Sequence, residues 1–345
     1  MARACDAAHT SMGIWRAMRL SNAAMGSLPV SKNIVVCYDG TGNEYGRNNT
    51  NVVGTFEAIL RDQDQIAFYD PGIGTFSFLG RALGRRFGTM MGKAFGYGLA
   101  ENIEDGYEYL MDHFLPDDKL FIFGFSRGAF TARCLVGMVC KVGILQKGSR
   151  NLIPYATEVY TTQGNEDVAE GFKRTYCHPC APHFVGVWDT VASLGHVLAK
   201  QFPNNRLHQS VRYGYHAVSL DEQRKKFPVS LWDEADLPEG QTIDQTWFAG
   251  VHSDVGGWYT ERGLSDIALI WMLEKAEAVG LRLKPDWKSS LHPDPMGIMH
   301  ESRLGFWRLW RPAPRKSSRD WRKIHDSVYL RQQTGGYPRN LPKRD

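Results

Sequence analysis

Lys119-Leu-Phe-Ile-Phe-Gly124-Phe-Ser126-Arg-Gly128-Ala-Phe130 decides how this chain is read. An apolar, aromatic-rich run stops at Gly124-x-Ser126-x-Gly128, and a helix-compatible stretch follows through Leu135. This is the sequence form of a nucleophile elbow, in which a serine on a sharp strand-to-helix turn holds its Oγ clear of the backbone. The flanking glycines suit such a turn, because a side chain at either would collide with the neighbouring strand or helix. The turn also aims the next backbone N–H, that of Arg127, at a developing oxyanion. A tight turn that merely contains serine carries the same letters, so the pattern gains weight from the strand before it and the helix after it.

Four further apolar runs flank this one and end in polar or glycine-rich turns. They are residues 33–38 before Asp39-Gly-Thr-Gly-Asn43, 65–69 before Asp70-Pro-Gly-Ile-Gly-Thr75, 184–188 before Asp189-Thr190, and 246–251 before His252-Ser-Asp-Val-Gly-Gly257. Short continuous apolar runs mark strands covered on both faces. Between them, 98–115 and 264–278 space their apolar residues as helices do. Alternating strands and helices imply a mainly parallel sheet with helices on both faces, the α/β-hydrolase arrangement. Its ligands bind beyond the carboxyl ends of the strands, where Asp, Ser, Asp and His collect here.

Residues 196–243 read as a cap-like insertion over the site, carrying Asp221-Glu222-Gln-Arg224 and Trp232. Residues 80–96 hold glycine at every fourth position with Arg81, Arg85, Arg86 and Lys93 interleaved. A Gly-rich surface loop is the favoured reading, since dense glycine weakens a helix by roughly 1 kcal/mol per residue. A basic, membrane-seeking stripe is the alternative. The expected layout is a flexible leader over 1–30, a catalytic domain over 31–310, and a basic, solvated tail over 311–345 with one short helix near 320–332.

A net charge of +4 is too small to argue for nucleic acid. An apolar fraction of 43% supports a sizeable core. No apolar run reaches the roughly 18 residues of a transmembrane helix. The leader lacks a secretory h-region and cleavage site, which points to the cytoplasm or to export without a cleaved signal. The 6 cysteines are scattered in apolar context, as buried thiols of a reduced compartment are. Cys177-His-Pro-Cys180, near His183, lacks a second ligand pair at a finger-like spacing, so neither metal nor other cofactor is expected.

A serine nucleophile needs a histidine base and an acid to orient it, in the chain order Ser, acid, His for this fold type. Asp189 with His252 competes with Asp254 with His325. The first pair is preferred because each member follows a strand directly, whereas His325 lies in a basic segment near the tail. Asp254 then supports the turn. The oxyanion donors are the N–H of Arg127 and one from Gly40 or Thr41, with Asp39 bracing that loop. An aspartate-nucleophile phosphatase would need a D-x-D pattern, and positions 37 and 41 are Cys and Thr. Phe76, Phe78, Trp258 and Tyr259 are candidates to line an acyl groove, although aromatics are more often core.

These motifs, in this order, resemble the α/β-hydrolase domain of type VI secretion phospholipase effectors over about residues 32–280. The resemblance implies a Ser–Asp–His esterase acting on acyl esters, phospholipid among them, with Ser126, Asp189 and His252 as its triad. It also implies transient membrane-surface contact and a secretion-system or immunity partner. The expected function is therefore a lipid-ester hydrolase. A soluble short-chain esterase and a non-catalytic binding protein on the same fold are the alternatives.

Overall fold

Asn33–Tyr38 (β1) and Lys119–Phe125 (β3) pair in parallel, with Tyr38 beside Gly124 at their ends. Both are almost wholly buried, which requires cover on two faces. The structure is a computed structural model describing residues 31–40, 46, 48–72, 87–191, 206–305, 308, 311–335, 337 and 341–344, with the side chains of 87–97 set aside. The expected leader, Thr41, Phe76, Phe78 and residues 80–86 of the Gly-rich stretch lie outside the described residues, whereas 87–96 of that stretch are not the expected surface loop but the start of the helix Phe87–His113.

The remaining elements, in order, complete the layers. Asn51–Ala58 (α1) starts at Thr50, whose Oγ1 accepts the N–H of Val53. Gln65–Asp70 (β2), Phe87–His113 (α2) and Arg127–Val142 (α3) follow. A small antiparallel pair, Ile144–Leu145 (β4) with Cys177–His178 (β5), brackets Ile153–Thr161 (α4) and Glu166–Tyr176 (α5). Phe184–Trp188 (β6), Tyr213–Ser219 (β7) and Thr242–Phe248 (β8) finish the sheet. His252–Gly256 (α6), Gly263–Glu277 (α7) and Asp326–Gly335 (α8) come last.

The sheet has 6 strands in the order β2-β1-β3-β6-β7-β8, all parallel. All carboxyl ends therefore share one edge. Ile34, Val36, Ile122 and Val187 face one core with Leu99, Ile103, Tyr107 and Leu135. Val35, Phe121, Phe123 and Trp188 face the other with Val52, Leu269 and Met272. This is the expected α/β layering.

Two expectations need correction. The segment 196–243 is not simply a cap: it supplies β7, between β6 and β8. The strand hides in sequence because Gly214, His216 and Ser219 interrupt its apolar run, and His216 is buried by a hydrogen-bond partner rather than by being apolar. β8 begins at Thr242, earlier than the apolar run suggests, because Asp244 and Gln245 disguise its first half.

The C-terminal stretch also departs from a solvated tail. Ile324 bridges to Trp247 of β8, and Val328, Tyr329 and Tyr337 pack with Val218, Leu220 and Ala249 into a third cluster. A few apolar residues spaced among many basic ones suffice to dock it.

Candidate active site

The turn after β3 is as tight as the glycines imply. Ser126 takes φ 58° and ψ −118°, and α3 starts at the next residue. Positive φ is costly for a non-glycine residue and is tolerated where surrounding structure fixes it. Here the N–H of Ser126 donates to the carbonyl of Trp188 at 3.0 Å, locking the turn onto β6. A Cβ on Gly124 would sit 2.6 Å from the carbonyl oxygen of Gly128. One on Gly128 would sit 2.3 Å from that of Asp39 and 2.4 Å from that of Tyr38. The missing side chains thus let α3 settle against β3 and against the end of β1.

Asp189 follows β6 with φ 40° and donates its N–H to Ala217 at 2.8 Å. His252 opens α6 after Gly250, whose φ is 104°. The N–H of Gly250 donates to Asp221 Oδ2 at 2.7 Å, and the N–H of Val251 donates to Asp254 Oδ2 at 3.0 Å. Phe125 and Phe227 pack on the imidazole, with ring centroids 4.7 and 5.2 Å away.

Three side chains then meet in a line. His252 Nε2 lies 2.8 Å from Ser126 Oγ, and His252 Nδ1 lies 2.5 Å from Asp189 Oδ2. Ser126, His252 and Asp189 are 7%, 5% and 0% exposed, so the line is nearly dry. Burial alone would raise the Asp189 carboxyl, but Arg315 and the His252 hydrogen bond outweigh it and hold the group well below the usual carboxylate range. An ionised Asp189 only accepts, so Nδ1 carries the imidazole proton and Nε2 is left to accept from the serine. Burial lowers the affinity of His252 for a second proton, and Asp189 works against that.

The other expected residues fall around this line. Asp39 accepts from the N–H of Gly40 at 2.6 Å, from Thr50 Oγ1 at 2.7 Å and from Tyr69 Oη at 2.8 Å. It therefore ties its loop to α1 and β2. Asp254 accepts from Val251 and from both N–H and Nδ1 of His300, the latter at 2.6 Å. His325 stacks on Phe248 and donates its backbone N–H to Trp247. The pair brought to Ser126 is thus Asp189 and His252. Tyr259 stacks on His300 at 3.7 Å between ring centroids. Cys177 lies in β5, where burial raises its thiol to about 11, and burial raises Cys180 further. Among the described residues no group of His, Cys, Asp or Glu is placed to hold a metal ion.

Two contributions escape sequence reasoning. His216, fully buried, accepts the N–H of Thr190 at its Nε2 at 3.1 Å, steadying the turn that carries Asp189. Arg315 reaches both carboxylate oxygens of Asp189, at 2.5 and 3.0 Å. No local signal marks Arg315, one of several arginines in a proline-containing stretch far along the chain.

Residues 32–275 match the family described as the T6SS phospholipase effector Tle1-like catalytic domain. The chain belongs to that family. It is 36% identical over 217 residues to the uncharacterized protein YEL023C of Saccharomyces cerevisiae, covering 57% of this chain and 32% of that protein. An uncharacterized Pseudomonas aeruginosa protein of known structure is similar at 19% identity and TM-score 0.45, over 75% of this chain and 47% of that one. The Tle1 effector bound to the VgrG spike of the type VI secretion system is similar at 19% identity and TM-score 0.38, over 67% and 51%. The chain thus spans about a third of the curated relative and about half of each solved chain. Among the described residues no helix is long and apolar enough to cross a membrane.

Proposed function

We propose that this chain is a serine hydrolase that cleaves carboxylic esters of lipids, with phospholipid the first substrate class to test. The reading is carried by one observation, the continuous line Ser126 Oγ–His252 Nε2 and His252 Nδ1–Asp189 Oδ2 on an elbow at the carboxyl edge of the sheet. Membership of the phospholipase effector family supports the substrate class.

In this mechanism His252 Nε2 takes the Ser126 proton as Oγ attacks the ester carbonyl carbon. The same proton passes from Nε2 to the leaving alcohol as the C–O bond breaks, leaving an acyl-serine. Water, deprotonated by His252, then releases the carboxylic acid and restores the serine. Asp189 holds the Nδ1–H tautomer and stabilises the transient imidazolium. The N–H of Arg127 and a second donor from the loop after Asp39 bind the tetrahedral oxyanion, with Thr41 preferred to Gly40 because the Gly40 N–H already donates to Asp39 Oδ1. Each donor contributes roughly 3–4 kcal/mol. Close packing of Gly128 on the Asp39 carbonyl supports that pairing of loops. Contact with a membrane surface and delivery by a secretion system belong to the same proposal.

The test is hydrolysis of phospholipid vesicles beside a soluble p-nitrophenyl ester, with fluorophosphonate labelling as a substrate-independent readout. Ser126→Ala is expected to lower turnover by about 10,000-fold or more and to abolish labelling, with the fold intact. Vesicles preferred over the short ester would identify a phospholipase, and the short ester alone a soluble esterase. An unlabelled wild type would point to a non-catalytic binding protein.

A further inference from the structure

The family match ends at residue 275, yet the base and its acid are fastened by side chains beyond it. His300 pairs with Asp254 in the turn that carries His252. Ser302 Oγ donates to Glu222 Oε1 at 2.9 Å, and Glu222 Oε2 accepts the N–H of His252 at 3.3 Å. Tyr337 Oη donates to Asp221 Oδ2 at 2.6 Å, the same oxygen that accepts from Gly250. Arg315 goes to Asp189 itself.

Arg315 does more than pair a charge. Its Nη1 donates to Asp189 Oδ1 at 2.5 Å, to Ser219 Oγ at 2.7 Å and to the Ser219 carbonyl at 3.1 Å. Its Nη2 donates to Asp189 Oδ2 at 3.0 Å and to the Phe227 carbonyl at 2.9 Å. One planar group thus joins the end of β6, the end of β7 and the segment whose Phe227 ring packs against His252. Its side chain is 6% exposed and that of Asp189 is 0% exposed. The Ser219 N–H completes the set at 2.9 Å, so each oxygen of Asp189 accepts at least two hydrogen bonds. A bidentate guanidinium fixes both the rotation of the carboxylate and its ionised form.

We propose that Arg315 is a positioning residue for the hydrolytic site: it aims Asp189 at His252 Nδ1 and, by sharing the carboxylate charge, limits how strongly His252 holds a proton. This rests on the Ser–Asp–His reading above. A carboxylate bound only to His252 would stabilise the imidazolium more. A base that protonates less readily stays in its working, neutral form to lower pH. Glu222 and its partner Arg224 also face His252, while His216 lies within reach of the charges of Asp189, Arg315 and Arg133. Of these groups, Arg315 is the cation bonded directly to Asp189.

The experiment is the pH dependence of fluorophosphonate labelling rate and of p-nitrophenyl ester kcat/KM in the full chain. It compares wild type, Arg315→Gln, Arg315→Lys and Ser126→Ala, with thermal unfolding of each. In Arg315→Gln the plateau rate is expected to fall at least 10-fold, toward about 100-fold. Its acid limb is expected to move up by about one pH unit, because removing the cation strengthens the imidazolium. Arg315→Lys, which keeps charge without the fork, is expected to leave the limb near its wild-type position while the plateau stays low. A lowered melting temperature with unchanged plateau and limb in Arg315→Gln would reduce Arg315 to a structural clamp and overturn the proposal. If Arg315→Gln does not fold, Arg315→Lys decides: a full wild-type rate there would overturn it. Absence of Ser126-dependent labelling in the wild type would instead remove the hydrolase reading, and this proposal with it.

Discussion

His216 has no exposed surface, and its Nε2 accepts from the Thr190 N–H, so the folded protein holds it as neutral imidazole with the other proton on Nδ1, facing Gln245 Oε1 at 3.3 Å. Burial, with Arg133 beside it, pulls its titration down to about 3. An unfolded histidine titrates near about 6.5. The folded-state value is the lower one, so this residue stabilises the fold fully above about pH 6.5 and progressively less as pH falls toward 3, where the unfolded chain takes up a proton and the folded one does not. The loss is on the order of a few kcal/mol. His216→Gln keeps an acceptor for Thr190 and removes the titration. Urea midpoints measured across that window are therefore expected to fall more steeply with acid in the wild type than in the variant. Parallel slopes would mean that His216 is not the group responsible. At this scale the sequence is informative where a candidate site residue directly follows an apolar run read as a strand, as with Ser126, Asp189 and His252. It is silent on His216 and Arg315, whose partners are set by which strands lie side by side.

The strand–turn–helix around Ser126 was legible because its requirements are local. An apolar strand, a positive-φ residue and small neighbours must follow one another, and each leaves a letter in the sequence. The requirement is severe at Gly128, where an added methyl meets backbone carbonyls that cannot move without shifting β1. Gly128→Ala is expected to destabilise the protein by about 3 kcal/mol or more, or to prevent folding. Gly171, inside α5, has nothing within 4 Å of an added Cβ. Gly171→Ala is expected to stabilise by about 0.5–1 kcal/mol by removing backbone freedom from the unfolded chain. Urea unfolding of both variants checks the pair, and equal effects would contradict the packing of α3 on β1. The strand β7 was not legible for the opposite reason. Its residues earn burial through neighbours on β6 and β8, and Gly214 and His216 break the apolar pattern that marks other strands.

The chain continues past residue 275, where the match to the family's catalytic domain ends. β8 ends the sheet, and its outer side is met by Ile324 through the bridge to Trp247. Val218, Leu220, Trp247 and Ala249, each at most 5% exposed, are covered by Ile324, Val328, Tyr329 and Tyr337. A chain ending at residue 275 would bare that apolar strip beside an unpaired strand edge, a combination that promotes association between molecules. It would also remove His300, Ser302, Arg315 and Tyr337 from the polar groups around His252. The two losses are separable. Truncation is expected to give aggregated or poorly soluble protein at any pH, whereas Arg315→Gln in the full chain is expected to elute as the wild type does and fail in rate. Size-exclusion chromatography of the truncated and full chains, with fluorophosphonate labelling of any monomer recovered, distinguishes them. A soluble, monomeric truncation labelled at the wild-type rate would show that the last seventy residues lie on the domain without supporting it. The sequence underrated this stretch because its basic residues and prolines outnumber the few side chains that dock it, and docking depends on where those few fall rather than on composition.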